Sequence, residues 1–347
     1  MKVSRKSIAI AAGVSPSTVG MILSGSGARY NEDTRKRVFQ AAKDLGYRPS
    51  LNARALRLKR SLLVGILLHD VNSHFAAEFL RGVQQALATT DYSPLVFFAR
   101  TPEEQIQCLA RCRERQVDGF LLNSVIDPVT ATADALAAEL GTPPTRVVEV
   151  FGRYLAGAPK VNVDNYRAGA LLADHLIGLG HRRIALLTHS RYHLTEHHID
   201  AWQHACGYRD TMLAAGLEPV IVARELDYEN VGEVAFLHAG FGALETVLGF
   251  PKVPTAVMCY SDHMAYGFNR ACRARGVDVP GQMSLCGQSG LNISALANPP
   301  LTTTASPYIE VGRIAATQLL QLLDGKPATD VLVAPRLELR LSSAALG

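Results

Sequence analysis

Four histidines fall within ten residues in His189-Ser-Arg-Tyr-His193-Leu-Thr-Glu-His197-His198. On a helix, the His193-x-x-Glu-His197 spacing would set two imidazoles one turn apart, as zinc peptidases do to share a metal. The stretch follows a predicted strand at 184–187, however, and should open in a loop, with no clear third ligand and catalytic base in range. Imidazoles on the rim of a cleft, contacting a ligand there, are therefore expected in place of a metal, and no cofactor is expected. Cys108 and Cys112 lie one helical turn apart without a second Cys/His pair to close a zinc site. With Cys206, Cys259, Cys272 and Cys286 they show no disulfide-scaffold spacing, so buried thiols in a reducing compartment are expected.

A second set of side chains suits the reading of base edges. In Ala12-Gly-Val-Ser-Pro-Ser-Thr-Val-Gly-Met-Ile-Leu-Ser-Gly25, Gly13 can make a tight inter-helix turn in left-handed backbone. Ser15 can cap the next helix, and Pro16 suits its first position. Val19, Ile22 and Leu23 recur at helical spacing and should pack inward, which leaves Ser17, Thr18, Gly20, Met21 and Ser24 facing out before Gly25 stops the helix. That face is short, uncharged and small, which suits a surface that enters a major groove and touches base edges.

The charge distribution agrees. Residues 1–60 hold 13 Lys/Arg against 3 Asp/Glu, a basic head on a body that is net acidic, although the whole chain is only +4. Such asymmetry is expected where one end meets a polyanion. A hydrophobic fraction of 48% with 19% charged residues is ordinary for a folded globular chain, and 347 residues suggest two or three domains. No apolar run approaches the ~20 residues needed to span a bilayer, and no signal-peptide core follows Met1, which leads to an expectation of a cytoplasmic protein without a membrane partner.

These side chains need positioning elements. A first helix should start at Ser4 and bury Ile8, Ala11 and Ala12; a third should start at Asn31 and bury Val38, Ala42 and Leu45 before Gly46. Beyond Ser61 the texture changes. Strands are expected at 62–68, 94–98, 119–122 and 146–151, with helices at 75–89 and 102–115 between them. After Val163 the rhythm restarts: helix 166–179, strand 184–187, a helix ending at 215, strand 219–222, helix 231–248, strand 255–258, helix 264–275 and strand 283–286, with a last strand at 337–341. The fold class is α/β, with two parallel sheets and a ligand cleft between them.

Over essentially its whole length the chain resembles the lactose repressor/purine repressor family of bacterial transcription regulators. Gly13-Val-Ser-x-x-Thr-Val19 is similar to the family's helix-turn-helix signature, and Tyr47-x-Pro49 with Leu56 to its hinge. Asp70-x-Asn72-x-x-Phe75, Val117-Asp-Gly-Phe120, Val163-Asp-Asn165, Gly178-Leu-Gly-His-Arg-Arg-Ile184, Val253-Pro-Thr-Ala256 and Pro299-Pro-Leu-Thr-Thr303 follow the family's core in order. The resemblance implies a helix-turn-helix domain (1–49), a hinge helix (50–60) and a periplasmic-binding-protein-like body of two subdomains, 61–163 plus about 290–325 and 164–289 plus about 326–347. It implies a homodimer reading a palindromic operator, and no leucine-heptad tail suggests a tetramer. By analogy Leu56 would wedge into a minor-groove step beside Ala53, while Arg54, Arg57, Lys59 and Arg60 serve phosphates. Ser4, Asn31 and Asn52 complete the expected DNA-binding set with Ser15, Pro16, Ser17, Thr18, Gly20, Met21 and Ser24.

The departures are informative. Gly20-Met21 stands where the family commonly has Ser-Arg, and Ser24 where Asn is usual, so altered half-sites are expected. Gly287-Gln-Ser-Gly290 replaces a motif whose Asp often receives sugar hydroxyls, and His204 stands where Arg is usual. The expected effector-binding residues are His74, Phe75, Arg100, Ser124, Arg153, Asn165, His204, Ser261, Gln288, Ser289 and Ser306, with a sugar or related metabolite as the small-molecule effector. A periplasmic-type solute-binding protein is disfavoured by the basic head. A Rossmann dehydrogenase is disfavoured because no Gly-x-Gly-x-x-Gly follows the first strand, and a phosphate-loop enzyme because Gly-x-x-x-x-Gly-Lys is missing. The chain is thus expected to be a regulator, a repressor in outcome, and no enzyme.

Overall fold

The computed structural model describes residues 3–23, 27–47, 55, 58–71, 74–123, 132–141, 145–152, 155–189, 199–226 and 233–347. They form two compact units, Met1–Leu62 and Leu63–Gly347.

In the first unit, Ser4 caps α1 (Arg5–Ala12) by accepting from the Ser7 amide, and the Ser7 side chain reciprocates. Gly13, left-handed at φ 63°, ends the helix and returns its N–H to the carbonyls of Ala9 and Ile10. The chain turns by 103° into α2 (Pro16–Leu23). The Ser15 hydroxyl accepts from the Thr18 amide at 3.1 Å there. Asn31 caps α3 (Glu32–Asp44) by accepting from the Thr34 amide at 2.8 Å. The three helices close on Ile8, Ala9, Ala12, Val19, Ile22, Val38, Ala41 and Ala42. Two expected core positions differ. The core lies on the Ala9 side of Ile8, so Ala11 is exposed. Leu45 is the C-cap of α3, beyond its last packed turn, and Ala41 takes its place. The Gly25 stop and most of the hinge lie outside the described residues.

The second unit begins with β1 (Leu63–Leu68), α4 (His74–Leu87), β2 (Ser93–Phe98), α5 (Pro102–Glu114), β3 (Gly119–Leu122), α6 (Thr132–Leu140), β4 (Val147–Val150) and β5 (Lys160–Val163). It continues with α7 (Asn165–Gly178), β6 (Ile184–His189), α8 (Ile199–Ala214), β7 (Val220–Arg224), α9 (Glu233–Phe241), α10 (Leu244–Leu248), β8 (Ala256–Cys259), α11 (Asp262–Arg275), β9 (Ser284–Ser289) and β10 (Thr302–Ala305). It ends with α12 (Tyr308–Leu323), β11 (Val331–Val333) and β12 (Arg336–Glu338). Two six-stranded sheets result, ordered β11-β5-β4-β3-β1-β2 and β12-β10-β9-β8-β6-β7. All neighbours are parallel except β12, which runs antiparallel to β10. The apolar runs of β1 and β6 are buried throughout, as strands covered on both faces require.

The subdomain crossings differ from expectation. The chain changes sheet between β5 and α7, between β10 and α12, and between β11 and β12. The crossings expected near 290 and 326 thus move to 305–308 and 333–336. Three consecutive β-branched residues, Thr302–304, extend the second sheet beside β9 with Thr302 opposite Cys286. β11 meanwhile completes the first sheet against β5. Where one helix was expected at 231–248 there are two, broken at Gly242 and Ala243. Helices α6 and α12 were not anticipated.

Three helix pairs are joined by reciprocal glycines. A Cβ at Gly82 of α4 would stand 1.9 Å from the Ile309 carbonyl oxygen, and one at Gly312 of α12 would stand 2.1 Å from that of Phe79. Gly169 of α7 and Gly207 of α8 meet the carbonyls of His204 and Tyr166 at 2.1 and 2.0 Å. Gly240 of α9 and Gly267 of α11 meet those of Met264 and Leu237 at 2.0 and 1.9 Å. Only hydrogen fits in these positions, so backbone touches backbone and each pair has one fixed register. This fixes the starts of α12, α7 and α8, which carry Tyr308, Asn165 and Asp200. All six cysteines are free and buried. Among the described residues no single helix is long and apolar enough to cross a membrane, and no three metal-ligating side chains come together.

Candidate DNA interface and effector site

On the head, Ser15, Pro16 and Ser17 are exposed, and Thr18, Gly20 and Met21 are half-buried, all on or beside the outer face of α2. Ser15 is the hub of this surface: its hydroxyl lies 2.7 Å from that of Ser17 and 2.8 Å from that of Thr18. Ser4 and Asn31 hold helix termini with the same side chains that were expected at DNA. Ser24, Asn52, Ala53, Arg54, Leu56 and Arg57 lie outside the described residues.

In the body, the C-terminal ends of the parallel strands bring two kinds of wall together. The first half supplies aromatic rings. Phe75, in the first turn of α4, meets Phe151, just past β4, edge-on at 4.9 Å. Tyr308 at the start of α12 completes the trio, 6.0 Å from Phe75 and 5.8 Å from Phe151. The Tyr308 hydroxyl is hydrogen-bonded to Ser306 and Ser289, and burial pushes its pKa up to about 12. Phe151 and Ser289 both have positive φ, 53° and 123°. Strained non-glycine backbone of this kind persists where surrounding structure holds it, and it clusters at ligand sites.

The second half supplies polar groups. Gln288 of β9 donates from Nε2 to Asn165 Oδ1 at 2.7 Å, and Asn165 Nδ2 donates to Asp200 Oδ1 at 3.1 Å, a chain of amides that links strand end to helix start. The remaining atoms are less satisfied. Gln288 Oε1, Thr188 Oγ1, Thr304 Oγ1 and both ring nitrogens of His204 are buried without a hydrogen-bond partner. By strand alternation Thr188, Gln288 and Thr304 face the same side of their sheet as Leu186 and Cys286, the side covered by α7 and α8, and His204 belongs to α8. His204 is fully buried with its ring 6.0 Å from that of Tyr260, and burial lowers its pKa to about 3. It is therefore a neutral imidazole offering one donor and one acceptor.

Of the expected effector residues, Phe75, Asn165, His204, Gln288, Ser289 and Ser306 gather in this region. Two have other work. The Ser261 hydroxyl caps α11 by accepting from the Met264 amide at 3.1 Å. Arg100 stands 3.7 Å from the Asp70 carboxylate at the neighbouring strand end. Ser124 and Arg153 lie outside the described residues, as does the side chain of His74. Of the histidine cluster only His189 is described; it is buried, with its ring edge-on to Tyr260 at 5.3 Å. Sequence reasoning missed Phe151, Asp200, Tyr260, Tyr308, Thr188 and Thr304. Their common signal is position, at the end of a parallel strand or the start of the following helix.

A basic helix-turn-helix head joined to a two-sheet body with a polar and aromatic strand-end site defines a ligand-responsive DNA-binding regulator. Residues 6–50 match the model for bacterial regulatory proteins of the lacI family, and residues 173–343 that of a periplasmic binding protein-like domain. The chain is 30% identical over 329 residues to the HTH-type transcriptional regulator RegA of Clostridium saccharobutylicum, covering 94% of each. It belongs to the lacI family of bacterial regulatory proteins, whose members here are transcription regulators and not enzymes. Among solved structures it resembles the transcriptional regulator CelR–cellobiose complex, with 25% identity, a TM-score of 0.67, and 98% of this chain and 100% of that one covered. It shares the fold of the lac repressor dimer bound to operator and the anti-inducer ONPF, with 24% identity, a TM-score of 0.81, and 99% and 100% covered.

Proposed function

We propose that this regulator is an operator-binding repressor, working as a homodimer, whose DNA affinity is set by an uncharged polyhydroxylated effector such as a sugar. The observation that carries the effector reading is the set of unpartnered buried atoms on His204, Gln288, Thr188 and Thr304, opposite the Phe75, Phe151 and Tyr308 rings. Each buried donor or acceptor left unmade costs about 1–3 kcal/mol, which a ligand with matching hydroxyls restores. Apolar ring faces beside such groups suit the C–H faces of a sugar. The neutral His204 and the amide of Gln288 favour an uncharged ligand over an anion. The cellobiose complex of the related CelR supports the same class.

The head would read DNA through Ser17, Thr18, Gly20 and Met21 of α2, with residues 1–49 as the DNA-binding domain and 50–60 as the hinge. Dimerisation is supported by the unpaired edges β2 and β7, which hold equivalent places in the two sheets, and by exposed Phe98, Val234 and Phe241 near them in sequence. Closure of the body around effector would alter dimer geometry and hence the spacing of the two heads, by no more than the ligand's differential affinity for the two states.

The test is selection of bound sequences from a random DNA pool by the full-length protein at stated salt, followed by calorimetric titration with neutral sugars and with sugar phosphates. A palindromic motif and a neutral sugar that shifts operator affinity are expected. Absence of any motif would sink the operator reading, and preference for a sugar phosphate would sink the effector class.

A further inference from the structure

The helix that faces outward on the head, α2, carries no charged side chain, yet two guanidiniums are brought to its outer face by neighbouring segments. A Cβ at Gly20 would stand 3.5 Å from Arg5 Nη1, so Arg5, the first residue of α1, lies across the open side of this glycine. Arg29, in the segment before α3, donates to the Met21 sulfur and, at 3.3 Å, to the Tyr30 hydroxyl. Its guanidinium sits 5.2 Å from the centre of the Tyr30 ring. The Tyr30 hydroxyl in turn bonds Thr18 and donates to the Met21 sulfur at 3.6 Å. Arg29 is thus tied to both Thr18 and Met21 of α2.

The placement of Arg5 is unfavourable for the head alone. Arg5 and Lys6 stand at the positive end of the α1 dipole, and the first turn of α1 holds no acidic residue to offset them. A local rule broken without compensation inside the fold is what a contact made outside it looks like.

We propose that Arg5 and Arg29 are the residues that read guanine edges in the major groove, taking the part that α2 cannot play with its own side chains. The proposal rests on α2 being the helix that enters the groove. A guanidinium presents a planar fork of donors that matches O6 and N7 of guanine, and a lysine at the same place keeps the charge but loses the fork. One guanidinium lies beside Gly20 at ordinary contact distance, and Tyr30 with Met21 orients the other before DNA arrives.

The full-length protein and the variants Arg5→Lys and Arg29→Lys should each be put through selection from a random DNA pool. Affinities for the wild-type motif and for random-sequence DNA should then be measured over a range of salt. Each variant is expected to lose its preference for guanine at one position per half-site, with operator affinity falling roughly ten- to a hundredfold and random-sequence affinity nearly unchanged. Arg5→Ala and Arg29→Ala should broaden the same positions while also reducing the salt dependence. If the lysine variants keep the wild-type motif, the arginines serve phosphates and the proposal is overturned; if only one broadens the motif, the paired assignment falls. A wild-type protein that enriches no motif would instead remove the reading of α2 on which the proposal stands. Circular dichroism of each variant separates loss of the fold from loss of readout.

Discussion

The two halves of the body share a strand order and a way of joining helices, but their strand ends carry opposite chemistry. Each has six strands, with the strand that comes first in its sequence next to the edge, and each holds helices together through glycine backbones. The first half then ends in Phe75, Phe151 and Tyr308, rings that satisfy one another by packing. The second ends in Gln288, His204, Thr188 and Thr304, whose buried atoms are left unpaired. A repeated scaffold can thus divide labour: one set of strand ends packs rings against one another, and the other carries buried polar atoms that the fold itself leaves unpaired.

The largest expected effect is on that shared scaffold. Gly207→Ala places a methyl 2.0 Å from the Tyr166 carbonyl oxygen, and backbone must move to admit it. The body should lose about 3 kcal/mol or more in denaturant unfolding. Gly178→Ala, on the partner helix α7 with nothing within 4 Å of the added carbon, should be neutral or gain a few tenths of a kcal/mol. Similar effects at both sites would mean that the helix pair is not held by backbone contact.

The two walls should separate next. Phe75→Ala opens a gap against Phe151 and Tyr308 and should cost about 2 kcal/mol of stability as well as effector affinity. His204→Leu should do the reverse to stability, because two unpartnered nitrogens leave the interior: unfolding free energy should hold or rise by about 1 kcal/mol, while effector affinity falls roughly ten- to a hundredfold. Loss of stability in both variants would place His204 in the packing of the body and not in ligand recognition.

Much of the scaffold is legible in the sequence. The strand at Gly119–Leu122 matches its expected bounds, and Ser4, Ser15 and Asn31 cap the helices they were expected to begin. Local rules suffice there, because apolar runs and capping side chains act within a few residues of themselves. The reciprocal glycines were not legible: within a helix a glycine reads as a weakness until the second helix is in place. Likewise Thr302–304, flanked by prolines and polar residues, becomes a strand only because β9 offers it an edge. The site divides in the same way. Phe75, Asn165, His204 and Gln288 stand in motifs, whereas Phe151, Asp200 and Tyr308 enter only through the folding of distant strand ends onto one another. Ser261 also caps α11, a role that a serine before a helix takes locally.

Acidification offers a more graded separation of the walls. His204 has an ordinary pKa of 6.5 and about 3 in the fold, so between these values the unfolded chain binds the extra proton. Stability contributed by the neutral imidazole is therefore whole above 6.5 and is lost progressively as pH falls toward 3. Burial lowers His69, His175 and His181 in the same direction. Asp262, raised by burial, acts oppositely, favouring the fold as pH falls through the carboxylate range. His204→Leu should flatten the profile below 6.5 without removing the slope from the other three histidines. An unchanged profile would mean that water reaches the ring.

The smallest expected effect lies where the two walls touch. Ser289 ends β9 with φ 123°, and its hydroxyl bonds Tyr308 from the opposite half. Ser289→Gly relieves backbone strain of about 1–3 kcal/mol but removes a hydrogen bond of about 1 kcal/mol and adds the entropy of glycine, so the net change should be within about 1 kcal/mol of zero. Tyr308→Phe removes the same bond and leaves the strain. In a Tyr308→Phe background, Ser289→Gly should therefore become more favourable than in the wild type, and the difference in a double-mutant cycle measures the bond across the walls. Identical effects in the two backgrounds would show that the walls are not coupled through this hydroxyl. The added gain in the Tyr308→Phe background should be about 1 kcal/mol, the worth of the hydrogen bond that is already missing there.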